Sequence, residues 1–161
     1  MGRVVKRSEL GPILEELRSA GRSVAFANGH FDLLHVGHLR YLEAAKREAD
    51  VLVVAINDDA SVESLKGPGR PVVPQAERAE LLAGFAAVDL VVVFAGDTPA
   101  PLLAELRPDV HCKGTDYGTP ERVPEYEVVR SYGGRTALVG DPKDHATTDL
   151  IRAVKALTER S

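Results

Sequence analysis

His35 and His38 stand three residues apart in the string Asn28-Gly29-His30-Phe31-Asp32-Leu33-Leu34-His35-Val36-Gly37-His38. On a helix, that spacing puts both imidazoles on one face. In the first turn of such a helix, free N–H groups and the positive end of the dipole attract phosphate. Gly37 removes a side chain between the two, so an anion can approach the backbone. Imidazole and backbone donors then converge on one point, which suits the extra negative charge on phosphorus in a transition state. Taken alone, the spacing describes two surface histidines more often than a site, and a metal pair only rarely.

Other chemistry-bearing residues recur in short polar segments. Asp32 could orient an imidazole or hold hydration water of Mg²⁺, or serve only as an acid ahead of a helix. His145 to Asp149 open a final helix, which Thr147 or Thr148 could cap; the functional reading is a second phosphate-binding helix end. Asn57, Asp58 and Asp59 suit turn chemistry. Lys66, Arg70 and Arg78 supply positive charge, each by itself an ordinary solvated residue. Lys113 follows an apolar run, where a charge is costly unless it faces ligand or solvent. With Gly114, Asp116 and Tyr117 it outlines an edge for a nucleotide or sugar. Cys112 reads as a small core residue rather than a nucleophile.

The elements that must position these residues alternate along the chain. Apolar, β-branched runs at 23–27, 51–56, 89–94, 109–112 and 135–139 read as strands, three of them almost continuously apolar. Such runs are covered on both faces. Helical patterns span 8–20, 35–48, 75–86, 98–106 and 147–158, with Ser8 offered as the cap of the first and Thr98-Pro99 as the start of the fourth. The alternation predicts an α/β fold: a doubly wound, Rossmann-like parallel sheet of about five strands with helices on both faces. Ligands then bind outside the carboxyl ends of the strands. Nearly every unusual polar residue falls just there. The Gly/Pro-rich stretches 66–74 and 114–124 are candidate binding loops.

Length allows one domain, 1–161, with a helix at 8–20 and a core over 22–158, burying about 69% of its unfolded surface. The chain is 44% hydrophobic and 27% charged with net charge −4, so no global nucleic-acid footprint is present. One cysteine among five histidines rules out an internal disulfide, argues against structural zinc and favours the cytoplasm. No apolar run approaches the ~20 residues of a membrane span. Without tryptophan, and with 5% aromatics, a base-stacking platform is disfavoured.

The His35-Val36-Gly37-His38 string resembles the HxGH signature of the nucleotidyltransferase superfamily, shared by cytidylyltransferases and pantetheine-phosphate adenylyltransferases. Further blocks are similar to the adenylyltransferases acting on D-glycero-D-manno-heptose 1-phosphate. These are Val54 to Val62, Leu65-Lys66-Gly67, Arg70-Pro71-Val72, Glu77-Arg78, Val88-Asp89, Thr98-Pro99, Pro108-Asp109, and Lys113-Gly114 with Asp116-Tyr117. The likeness runs from about residue 3 to 158. It departs at His30, usually small or sulfur-containing, at Thr115, usually glycine, and at Ala146, which precedes Thr147-Thr148 in place of serine. These departures bear on the sugar phosphate more than on the reaction.

The resemblance implies transfer of AMP from ATP to a sugar 1-phosphate, with Mg²⁺ accompanying the nucleotide and pyrophosphate released. It makes His35, His38, Lys66 and Thr148 catalytic. Asn28, Gly29, Phe31, Asp32, Gly37, Lys113, Gly114 and Thr147 would bind nucleotide. Asn57, Asp59, Arg70, Arg78, Asp116 and Tyr117 would bind the acceptor, Asp59 through sugar hydroxyls. No residue is assigned as a metal ligand. Two alternatives stay open: a cytidylyltransferase for glycerol 3-phosphate or a related polyol or sugar phosphate, and a non-catalytic nucleotide-binding module. A homodimer, no nucleic-acid or membrane partner, and a stand-alone form of a domain often fused to a sugar kinase complete the expectation.

Overall fold

Residues along the central strands alternate between two covered faces. Ala25, Ala27, Leu52, Val54, Ile56 and Val91 pack on one side with Leu42, Ala45, Ala79 and Leu82. Val24, Phe26, Val53, Ala55, Val92 and Phe94 pack on the other with Leu10, Leu14, Leu102, Leu103 and Val129. This is why the strands read as continuous apolar runs rather than as alternating ones. The computed structural model describes residues 1–142 and 144–160; positions 143 and 161 of the single domain expected over 1–161 lie outside the described residues.

The elements run β1 (Arg3–Val5), α1 (Arg7–Ser19), β2 (Val24–Gly29), α2 (Val36–Lys46), β3 (Val51–Asn57), α3 (Asp59–Lys66) and α4 (Gln75–Ala83). They continue as β4 (Leu90–Phe94), α5 (Ala100–Leu106), β5 (Val110–Gly114), two 3₁₀ turns (Thr115–Tyr117, Pro120–Arg122), α6 (Tyr126–Ser131), β6 (Arg135–Val139) and α7 (Thr147–Thr158). The sheet order is β1-β4-β3-β2-β5-β6. Every pairing is parallel. After β2 the chain moves outward through β3 and β4, then returns to β2's other side with β5. The crevice where the order reverses lies at the carboxyl ends of β2 and β5.

The sheet has six strands rather than about five. The extra one, β1, is a three-residue edge strand paired only with β4 and flanked by Lys6 and Arg7, too short to carry a period. Helix α3 was hidden in what reads as a turn; Asp58 is its N-cap, accepting from Ser61 N–H at 2.9 Å. Helix α6 and the 3₁₀ turns sit within or beside the Gly/Pro-rich 114–124 stretch. Ser8 does not cap α1: the helix starts at Arg7 behind Lys6, whose N–H donates to Glu9 Oε2 at 2.7 Å. Thr98 does act at the start of α5, its Oγ1 accepting from Ala100 N–H at 3.2 Å.

Candidate active site

A strand end, a glycine turn and a helix start bring the two histidines together. His35 is the N-cap of α2 and accepts the Gly37 N–H on its Nδ1 at 3.1 Å. His38 reaches back and accepts the His35 N–H on its own Nδ1 at 3.3 Å. Two imidazoles thus make a reciprocal capping box, a role usually filled by a hydroxyl and a carboxamide or carboxylate. With Nδ1 of each ring occupied as acceptor, the ring proton resides on Nε2, the nitrogen outside the capping box. Burial, then the charge of His145, holds His35 below the ordinary histidine range, partly countered by Asp149. The Phe31 ring backs His38 at a centroid distance of 5.2 Å. A Cβ on Gly37 would come within 2.9 Å of the His35 ring, so any larger residue here must move that ring.

The pair lines a cavity of about 440 Å³ at the carboxyl ends of β2, β5 and β6. The start of α7 forms a facing wall. Its N-cap is Ala146, with no side-chain cap, so neither Thr147 nor Thr148 caps the helix as expected. Both lie in its first turn and line the cavity, and Thr147 Oγ1 donates to Leu33 O at 3.3 Å, tying α7 to the histidine turn. Two helix N-termini therefore meet at one void.

Asn28, Gly29, Phe31, Asp32, Gly37, Lys66, Arg70, Lys113, Gly114, Asp116 and Tyr117 also line this cavity. Asp32 is buried and its oxygens serve the protein itself. It accepts from Arg70 Nε at 2.7 Å, from Val72 N–H at 2.9 Å and from Val73 N–H at 2.8 Å. Burial raises its carboxyl, but those hydrogen bonds outweigh it and hold the group below the usual carboxylate range. The acid clasps the 67–74 loop against the histidine turn. Water of a metal ion would have to compete with those donors.

Three of the expected acceptor-binding residues lie elsewhere. Arg78 is fully buried and donates to Val73 O, His30 O, Asn57 O and Asp59 Oδ1 at 2.6–3.0 Å. A guanidinium so enclosed joins β2, β3 and the 67–74 loop and cannot meet a phosphate. Asp59 is Arg78's counter-ion and also accepts the Gln75 N–H at 2.8 Å. Asn57 Nδ2 donates to Gly96 O at 2.9 Å. None of the three lines the cavity.

On the β5 side, Lys113 Nζ sits 5.3 Å from the Tyr117 ring centroid. Several lining residues escaped the sequence reading. His145 stands 6.3 Å from His35, ring to ring, and was legible only as part of the segment opening α7. Tyr41, whose OH donates to Cys112 O at 2.7 Å, gave no signal because it repeats as an ordinary helix position. Behind the cavity, buried His111 donates from Nε2 to Asn28 Oδ1 at 2.9 Å, and burial pushes it down to about 3.

The cytidylyltransferase-like family model matches residues 26–155, from the second strand to the last helix. The chain belongs to this family. Among cytidylyltransferase-like relatives, it is 48% identical over 148 residues to the bifunctional protein HldE of Syntrophotalea carbinolica, covering 92% of this chain and 30% of that one. It is 49% identical over 146 residues to the HldE of Geotalea uraniireducens, covering 91% and 30%. The chain thus spans about 30% of the length of these relatives. A lipopolysaccharide core biosynthesis protein from Thermoplasma volcanium superposes with a TM-score of 0.65 at 23% identity, over 76% of this chain and all of that one. Pantothenate synthetase from Thermus thermophilus does so at 0.56 and 21%, over 89% and 63%. At those identities the superpositions speak for the fold alone.

Proposed function

We propose that residues 1–161 act as one nucleotidyltransferase domain that moves AMP from ATP to D-glycero-D-manno-heptose 1-phosphate. The observation that supports this most is the convergence of two imidazole Nε2 donors and two helix N-termini on one cavity. An oxygen of the sugar phosphate attacks the α-phosphorus of ATP in line. A bond from phosphorus to that oxygen forms, the α–β bridging bond breaks, and pyrophosphate leaves with the electron pair. The attacking phosphate is already anionic, so positioning and charge stabilisation supply the catalysis. His35 and His38 donate to the crowded phosphorus centre. Thr147, Thr148 and the start of α7 hold nucleotide phosphates, and Lys66 neutralises the phosphates of both substrates.

Asn28, Gly29, Gly37, Lys113 and Gly114 line the nucleotide's path; Arg70, Asp116 and Tyr117 face the acceptor. Among the described residues, no group of three or more His, Cys, Asp or Glu side chains could hold a metal ion. In this reading ATP is taken as its Mg²⁺ complex, and the ion would supply charge shielding for the departing pyrophosphate. A homodimer and the cytoplasm belong to the same reading. Among the described residues, no helix is long and apolar enough to cross a membrane.

The test is pyrophosphate release with ATP, CTP, GTP and UTP, each against heptose 1-phosphates and glycerol 3-phosphate, with Mg²⁺. Release with ATP and a heptose 1-phosphate is expected. Release only with CTP and glycerol 3-phosphate would replace the substrate assignment and leave the chemistry standing. ATP binding without release from any pair would favour the binding module.

A further inference from the structure

The cavity holds an imidazole that the reaction above does not use. His30, just past the end of β2, is partly buried and lines the void together with Lys66 and Arg70, whose charges act on it. Its backbone is pinned, because Arg78 Nη1 donates to its carbonyl at 2.6 Å. The next residue, Phe31, sits at φ +48°, a left-handed conformation that a bulky side chain adopts only when its surroundings impose it. Unlike His35 and His38, whose Nδ1 atoms are committed to the backbone, His30 makes no side-chain hydrogen bond to any described residue. A held imidazole with both nitrogens open in a cationic corner has one obvious counterpart, an oxyanion.

We propose that His30 is a proton-linked contact for the acceptor's phosphate, neutral while the corner is empty and protonated once a phosphate monoester seats against Lys66, Arg70 and His30. The inference rests on the transferase reading and adds to it how the acceptor is recognised and released. Burial first, then the charges of Lys66 at the end of α3, Arg78 on α4 and Arg70 in the 67–74 loop, disfavour a proton on the empty site; Asp32 in the same turn acts the other way. A dianion placed among these cations reverses the local field, and the imidazole takes a proton from solvent. In the transfer, the monoester dianion becomes one singly charged phosphoryl of a diphosphate bridge. The corner then holds one negative charge fewer, His30 returns its proton to solvent, and the product is loosened.

The test is proton NMR of the histidine ring C2–H resonances in the intact chain, titrated across pH 5–8 with and without sulfate. Sulfate is a dianion that does not itself titrate in this range. His30→Asn identifies the resonance, and the other four histidines report that the variant is folded. The expected result is a His30 midpoint that moves to higher pH when sulfate is present. In turnover assays, the acceptor KM should rise with pH in the parent chain, and that dependence should be lost in His30→Asn. A sulfate-induced change at His35 or His38 with an unmoved His30 midpoint overturns the proposal and leaves the transferase reading intact. Sulfate that moves none of the histidines counts against both.

Discussion

The rings of His35 and His38 lie 3.9 Å apart, centroid to centroid, and each spends its Nδ1 on a backbone N–H of the same helical turn. Structure and chemistry are thereby divided between the two nitrogens of each ring. Nδ1 closes the helix start, and in the proposed reaction Nε2 is the nitrogen that would meet the phosphorus centre. The two functions can be separated by substitution. Asparagine is a good N-cap but offers no Nε2 donor in the same place. His35→Asn should therefore keep its melting temperature within a few degrees while turnover falls ~10²-fold, the scale of a lost oxyanion donor. Thermal unfolding and pyrophosphate release measure the two. A loss under threefold would remove His35 from the reaction.

Gly37 tests the same turn from the backbone side. A methyl group there meets the His35 ring, so Gly37→Ala must displace the imidazole or tilt the turn. Misplacement of about 1 Å at a reacting group costs on the order of 10²-fold. The expected outcome is a large fall in kcat with the far-ultraviolet circular dichroism unchanged. Unchanged kinetics would mean the cap geometry is irrelevant to the reaction.

Arg78 separates architecture from binding. Removing one partner of a buried, hydrogen-bonded charge costs about 3–5 kcal/mol. Arg78→Met should lower the denaturant midpoint by a corresponding amount, since three carbonyls and Asp59 lose their donor. A stable Arg78→Met chain whose only defect is a raised acceptor KM would return Arg78 to the substrate.

Acid should destabilise the fold before its carboxylates begin to titrate. His111 is neutral in the folded chain down to about 3, whereas the unfolded chain protonates it near its ordinary value of 6.5. Between those pH values the unfolded state binds more protons, so stability falls with decreasing pH by up to ~1.4 kcal/mol per unit. The contribution is fully present above the ordinary histidine range and lost below it. Asp32 acts in the same direction, but only below the ordinary carboxylate range. Denaturant midpoints at pH 7, 6 and 5 should show the slope, and His111→Gln, which can still donate to Asn28, should flatten it. An equal slope in parent and variant would place the acid sensitivity elsewhere.

Much of this is legible in the sequence itself. The buried strands announced themselves because both faces of a parallel sheet are covered, and the histidine turn because its string follows a strand-end glycine and resembles a family signature, not through its spacing alone. What escaped has physical reasons. β1 is three residues at an edge, below the length at which a pattern forms. Arg78 looks like any helix-surface arginine; only the meeting of β2, β3 and the 67–74 loop around it makes it internal. Asp32 sits where an acid could face a ligand, and its preference for Val72 and Val73 depends on a loop forty residues away. Sequence located the segments that build the cavity well, and was weaker on which side chains inside them hold each other.

The helix α7 has no buried residue, and Leu150, Val154 and Leu157 are exposed along it. A twelve-residue helix is marginal in water without packing. Phosphates held by its first turn would be an added tether, so occupancy of the cavity should be readable far from it, as slower amide hydrogen exchange along residues 147–158. Part of the free energy of binding would go into winding that segment, and the measured affinity would be weaker than the contacts alone suggest by that amount.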